Sequence, residues 1–164
     1  MLADPTWHVP RHALRDEVVW IDRPPGGILD ELGFGDGSVF GGATRRAARG
    51  GWGLSVTNPL FQETARLCGP VPGWHQDITL AELWVSWAYV AHVGPTGDTF
   101  YTDCLSLVKA WQRGQAYCSD VLSIYSAVWR RIRVKVIDIG EDNISVVWVP
   151  AHLTDAKTRV QHHP

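Results

Sequence analysis

Between Ile78 and Val93 the chain carries apolar residues with the period of a helix. Leu80, Leu83, Trp84, Trp87, Ala88 and Ala91 fall at i, i+3, i+4, i+7, i+8 and i+11, a single apolar stripe. A stripe of that size is core, so the rest of the chain has to supply a layer to cover it. The stretch contains Glu82 and His92 and is too short to cross a bilayer, so no membrane segment is expected.

Strands flank it on both sides. Residues 1–31 are rich in Pro, Arg and Asp and hold one short apolar run, Val18-Val19-Trp20-Ile21, closed by Pro24-Pro25-Gly26-Gly27; they read as an arm or linker that can add an edge strand. From Leu32, a Gly-rich segment through Phe34 and Asp36 and the run Gly51-Trp52-Gly53-Leu54-Ser55-Val56 read as two strands, joined by a loop bearing Arg45, Arg46 and Arg49. Glu63 to Leu67 is a third strand, ended by Gly69-Pro70-Val71-Pro72-Gly73. Downstream, Thr99-Phe100-Tyr101-Thr102 is a short buried strand that delivers Asp103 at its end. A helix from Leu105 to Arg113 stops at Gly114. Ser119 or Asp120 can cap another, with the stripe Val121, Ile124, Tyr125, Val128, Trp129 and Ile132. After a turn at Asp142-Asn143, Ile144 to Val149 is the last strand. The expected product is an α/β domain over 32–158, a mixed five-stranded sheet flanked by helices, with 159–164 as a tail.

Composition bounds the function. A chain of 164 residues, 45% hydrophobic and 20% charged, suits one globular domain, and its nine tryptophans read as core. Cys68, Cys104 and Cys118 form an odd set with no CxxC pair, against both a disulfide framework and a structural zinc site. The formal net charge of −2 counts against an autonomous nucleic-acid binder; any such binding uses local patches or a tethered partner. The first ten residues have neither a basic nor an apolar signal region, so an intracellular setting is the expectation.

Three acids stand at strand ends and at a helix start, where sheet edges and helix termini meet and oxygen ligands can hold a hard cation: Asp36, Glu82 and Asp103. Each has an ordinary reading beside the functional one. Asp36 in Gly-Asp-Gly-Ser is also turn chemistry, and Glu82, three residues after Thr79, completes a capping box. Asp103 ending a buried strand is costly without a partner, which favours function. Asp22, following a more strand-like run, is the rival for the first ligand position. His152 reads equally as a surface histidine, and His162 and His163 as a frayed tail. Arg130, Arg131, Arg133 and Lys135 suit the dipole near the end of a helix.

Asp36-Gly37-Ser38, Ala81-Glu82-Leu83, Thr102-Asp103-Cys104 and Val149-Pro150-Ala151-His152, in this order and on matching elements, resemble the ribonuclease H domain, particularly the form joined to retroelement reverse transcriptases. The resemblance covers Leu32 to Asp155. It implies an endonuclease that hydrolyses the RNA strand of RNA–DNA hybrids with two divalent cations, Mg²⁺ or Mn²⁺ in its place. Asp36, Glu82 and Asp103 match metal-binding acids, and His152 matches a histidine that assists turnover. The implied partners are the hybrid and a reverse transcriptase domain in a parent polypeptide.

Two departures stand out. Cys104 replaces a serine that is not itself a ligand. The family's fourth acid lies in an Asn-x-x-x-Asp segment beyond the histidine, and the sequence reaches Pro164 without it, Asp155 being too close to His152 to match. A domain truncated before the fourth acid is expected to be a weak or inactive nuclease. The alternative is a non-enzymatic nucleic-acid-binding or structural module of a retroelement polyprotein.

Overall fold

The structure is a computed structural model and describes residues 18–41, 48–73, 75–120 and 123–151. In chain order the elements are β1 (Val19–Asp22), β2 (Leu32–Phe40), β3 (Arg49–Thr57), β4 (Glu63–Pro70), α1 (Ile78–His92), β5 (Thr99–Thr102), α2 (Leu105–Arg113), α3 (Gln115–Asp120), α4 (Ser126–Ile139) and β6 (Ser145–Trp148). The strands form one sheet in the order β1-β4-β3-β2-β5-β6, antiparallel from β1 to β2 and parallel from β2 to β6. The α/β class and the mixed sheet are as expected, but the sheet has six strands, not five. The sixth is the short apolar run of the arm: β1 pairs with β4, and Trp20 packs edge-on to the His92 ring of α1 with centroids 5.1 Å apart.

α1 lies over β2, and the reason is written in β2 itself. Gly33, Gly35 and Gly37 occupy alternate positions and so share one face. Their cross-strand partners on β3 are Val56, Leu54 and Trp52, all buried. The glycines thus form a trough with large side chains along one wall. A Cβ at Gly35 would sit 2.5 Å from Phe100 and 2.7 Å from Val85; at Gly37 it would sit 2.8 Å from the main-chain nitrogen of Glu82. Only bare backbone lets the helix settle this close.

The helix presents a different face to the sheet from the stripe expected. Ala81, Glu82, Val85 and Tyr89 meet the glycines, while Trp84 and Trp87 of the stripe lie beneath Arg131 of α4, 5.3 and 6.0 Å from its guanidinium carbon. α1 is sandwiched between sheet and α4, so ten of its residues are buried and no single stripe describes it. Tyr89 is wholly buried against Phe100, and burial pushes its hydroxyl pKa far up.

β5 and α2 have the expected bounds. The helix expected from Ser119 or Asp120 instead divides: both residues belong to α3, and α4 begins at Ser126 after Ser123 bonds the Tyr125 and Ser126 amides. From there the stripe holds, with Val128, Trp129 and Ile132 buried, whereas Ile124 is exposed. Among the described residues no helix is long and apolar enough to cross a membrane.

The trough makes a directional prediction. Gly37→Ala places its methyl against helix backbone, which cannot rotate away, and should cost about 1–3 kcal/mol, as overpacking does. Gly53→Ala, whose Cβ meets nothing within 4 Å, should cost no more than about 0.5 kcal/mol. Urea denaturation of both variants checks this; equal effects would remove the close approach as an organising feature.

Candidate metal centre

The register of the two central parallel strands delivers the first pair of acids. β2 and β5 pair as Gly33↔Phe100 and Phe34↔Tyr101; carried on at the same offset, the register sets Asp36 beside Asp103, just where β5 has ended. Two residues before the acids, Phe34 and Tyr101 stack nearly parallel with centroids 4.9 Å apart, tying the strands together on that side.

Glu82 comes from α1. One carboxylate oxygen accepts the Gly37 N–H of β2 at 2.7 Å, and the other accepts the Thr102 hydroxyl of β5 at 3.1 Å. The side chain therefore reaches into the seam where β2 and β5 stop pairing. Carboxylate oxygens of Asp36, Glu82 and Asp103 lie within 4.8 Å of one another. Asp36 is exposed, Asp103 half-buried and Glu82 buried, so the group opens outward from a closed rear wall.

Asp103 is held through its backbone. Val149 donates its N–H to the Thr102 carbonyl at 2.9 Å, and the Trp148 indole donates to the Asp103 carbonyl at 3.1 Å. The end of β6 thus fixes the end of β5.

The electrostatics are those of crowded carboxylates, one of them buried. Burial pushes the Glu82 carboxyl up to about 7, and the neighbouring charges of Asp103 and Asp36 push the same way, against the bonds from Gly37 and Thr102. Hard oxygen donors, crowded and partly desolvated, suit Mg²⁺, Mn²⁺ or Ca²⁺. A divalent ion there would offset the cost of holding the Glu82 charge in a buried place beside two other carboxylates.

Several expectations change. Asp36 is not in a turn: β2 continues to Phe40, and Asp36 pairs with Gly53 inside the sheet. Glu82 is not a capping residue, because Asp77 caps α1, accepting the Leu80 N–H at 2.7 Å. His75 and the Tyr125 hydroxyl also bond Asp77. Burial works against the Asp77 anion, yet these bonds outweigh it and hold its pKa below the usual range. Asp22, the rival ligand, sits on edge strand β1 and is engaged by Arg66 at 2.6 Å, three strands from β2. Arg130, Arg131, Arg133 and Lys135 lie within α4 rather than in its last turn; Arg130 bonds the Ser119 carbonyl at 3.3 Å and Arg131 covers two tryptophans. His152, Asp155, His162, His163, Arg45 and Arg46 lie outside the described residues. The contribution that sequence reasoning missed is the Gly37 N–H and Thr102 hydroxyl pair that holds Glu82. The alternating glycines of β2 were its visible signal.

Among solved structures, the chain is similar to the foamy viral protease–reverse transcriptase in complex with an RNA/DNA hybrid, with a TM-score of 0.61 and 11% identity over 93% of this chain and 22% of that one. It is similar to the PFV RNase H domain in solution, at 0.56 and 12% over 82% and 89% of the two chains. It is also similar to the N-terminal RNase H domain of a Mycobacterium tuberculosis protein, at 0.53 and 15% over 74% and 84%. The chain spans about a fifth of the whole foamy viral protein. No family model and no curated protein sequence matches it. At these identities the shared property is the fold, a ribonuclease H fold.

Without a cation, the raised pKa of Glu82 predicts how stability follows pH. The folded state prefers the protonated form, so this contribution is fully present below about pH 4.5 and is lost as pH rises through about 7. Glu82→Gln removes the dependence. In chelator, urea denaturation should find the parent losing stability relative to Glu82→Gln by up to about 3 kcal/mol as pH rises from about 4.5 through about 7. A stability difference that does not change between these pH values would contradict the assignment.

Proposed function

We propose that this chain is a divalent-cation-dependent nuclease domain of the ribonuclease H type, acting on the RNA strand of an RNA–DNA hybrid. The observation that carries the reading is the convergence of Asp36, Glu82 and Asp103 within 4.8 Å at the end of the central strand pair, on a fold shared with ribonuclease H domains.

The residues divide the work by exposure. Asp36 and Asp103, on the open side, would hold a cation within reach of a phosphodiester; Glu82 would close the site from behind, its orientation set from two strands. Mg²⁺, or Mn²⁺ in its place, when bound supplies an acidified water and offsets negative charge on the scissile phosphate and the departing 3′ oxygen. Preference for a hybrid rests on 2′-hydroxyl contacts and duplex shape rather than on base sequence.

The formal net charge of −2 provides little long-range attraction for phosphates. This supports a domain whose grip on the duplex comes from a tethered partner, which we take to be a polymerase domain of a retroelement polypeptide. The foamy viral protease–reverse transcriptase bound to an RNA/DNA hybrid is such a joined chain.

The test is cleavage of a labelled RNA–DNA hybrid with Mn²⁺ at low salt. The parent should cut the RNA strand only, and Asp36→Asn should reduce the rate at least about a hundredfold, the equivalent of roughly 3 kcal/mol at the transition state. Raised salt should suppress cleavage by weakening binding. A parent that binds Mn²⁺ and hybrid yet cuts neither strand would replace the nuclease reading with that of a non-enzymatic module.

A further inference from the structure

We propose that Thr102 is a positioning residue of the acid cluster: its side chain couples the Glu82 carboxylate to the stretch of backbone that carries Asp103, and so sets the distance between two ligands. The proposal rests on the reading of the cluster as a cation site.

Thr102 is the last residue of β5 and is 1% exposed. A hydroxyl has one proton to give and can accept in return. Here the Cys104 N–H donates to the Thr102 oxygen at 3.0 Å, which leaves the hydroxyl proton for Glu82 at 3.1 Å. The direction of the chain is thereby fixed, from the Cys104 amide through Thr102 to Glu82. With the Gly37 N–H on its other oxygen, Glu82 is held at both ends of its carboxylate by two different strands. Thr102 itself is anchored by its carbonyl to the Val149 N–H, just past β6. Between Thr102 and Cys104 lies Asp103, so a single buried side chain spans the residue on the strand and the residue on the helix.

Thr102 is not one of the three clustered carboxylates. Its effect passes through Glu82, in the way that groups bonded to metal ligands tune affinity. Removing the hydroxyl without changing the shape takes this partner from one Glu82 oxygen, which is buried, and from the Cys104 amide, which is partly buried, and frees the carboxylate to rotate.

The experiment is calorimetric titration of the full chain with Mn²⁺ at neutral pH, comparing the parent, Thr102→Val and Thr102→Ser, each checked for folding by circular dichroism. Thr102→Val should weaken Mn²⁺ binding about 10–100-fold, and Thr102→Ser, which keeps the hydroxyl, should restore parental affinity. Parental affinity in Thr102→Val, or equal loss in the serine and valine variants, overturns the proposal while leaving the cation site intact. A parent that binds no Mn²⁺ overturns both. Should Thr102→Val fail to fold, Thr102→Ser and Thr102→Ala form the deciding pair, since both lose the methyl and differ by the hydroxyl alone. Alanine should bind at least about tenfold more weakly than serine, and equal affinities overturn the proposal.

Discussion

The close seating of α1 on β2 is the constraint from which the rest of the site follows. Side chains on a central strand normally stand between a sheet and the helix that covers it. Here three alternate positions of β2 carry none, and large residues of β3 and β5 flank the gap. The helix descends until Glu82 can take an N–H from the strand below it. Without that descent Glu82 would be a polar residue lost between two layers, and Asp36 and Asp103 would be two acids on adjacent strands with nothing behind them.

The same arrangement has a cost that the core offsets. Three carboxylates drawn together repel, and one of them is also taken out of water. The packing that opposes this is ordinary: Tyr89, Phe100, Leu67 and Ile132 are almost wholly buried, and Trp84 and Trp87 are capped by Arg131. A proton and a divalent ion are alternative means of relieving the Glu82 charge, so occupancy of the site and its protonation are linked. The geometry that crowds the three carboxylates is what would favour a cation among them.

The sequence revealed the elements more readily than the contacts between them. β5 and α2 were legible because period, β-branching and the stop at Gly114 are local signals. The three acids were singled out and the structure groups them, but the local setting of each was not legible. Thr79 and Glu82 satisfy a capping pattern, yet Asp77 takes the cap, and nothing local decides between two eligible residues two positions apart. The segment through Phe34 and Asp36 read as a strand, but the Gly-Asp-Gly-Ser setting of Asp36 also fitted a turn; the pairing of Asp36 with Gly53 inside the sheet decides for the strand. Asp22 follows the better local strand signal, but strand quality does not say whether a strand is central or at an edge. The cross-strand partner Arg66 settles its role as an ion pair. The break between α3 and α4 came from Ser123 bonding nearby amides, a competition that apolar periodicity does not register.

The most direct test of the account is a crystal structure grown with Mn²⁺, read through the anomalous signal of the metal. The account predicts a peak bonded to carboxylate oxygens of Asp36, Glu82 and Asp103, with the Glu82 side chain still accepting from Gly37 and Thr102. A map from Mn²⁺-soaked crystals with no peak among the three acids, or with Glu82 turned away from β2, would contradict it.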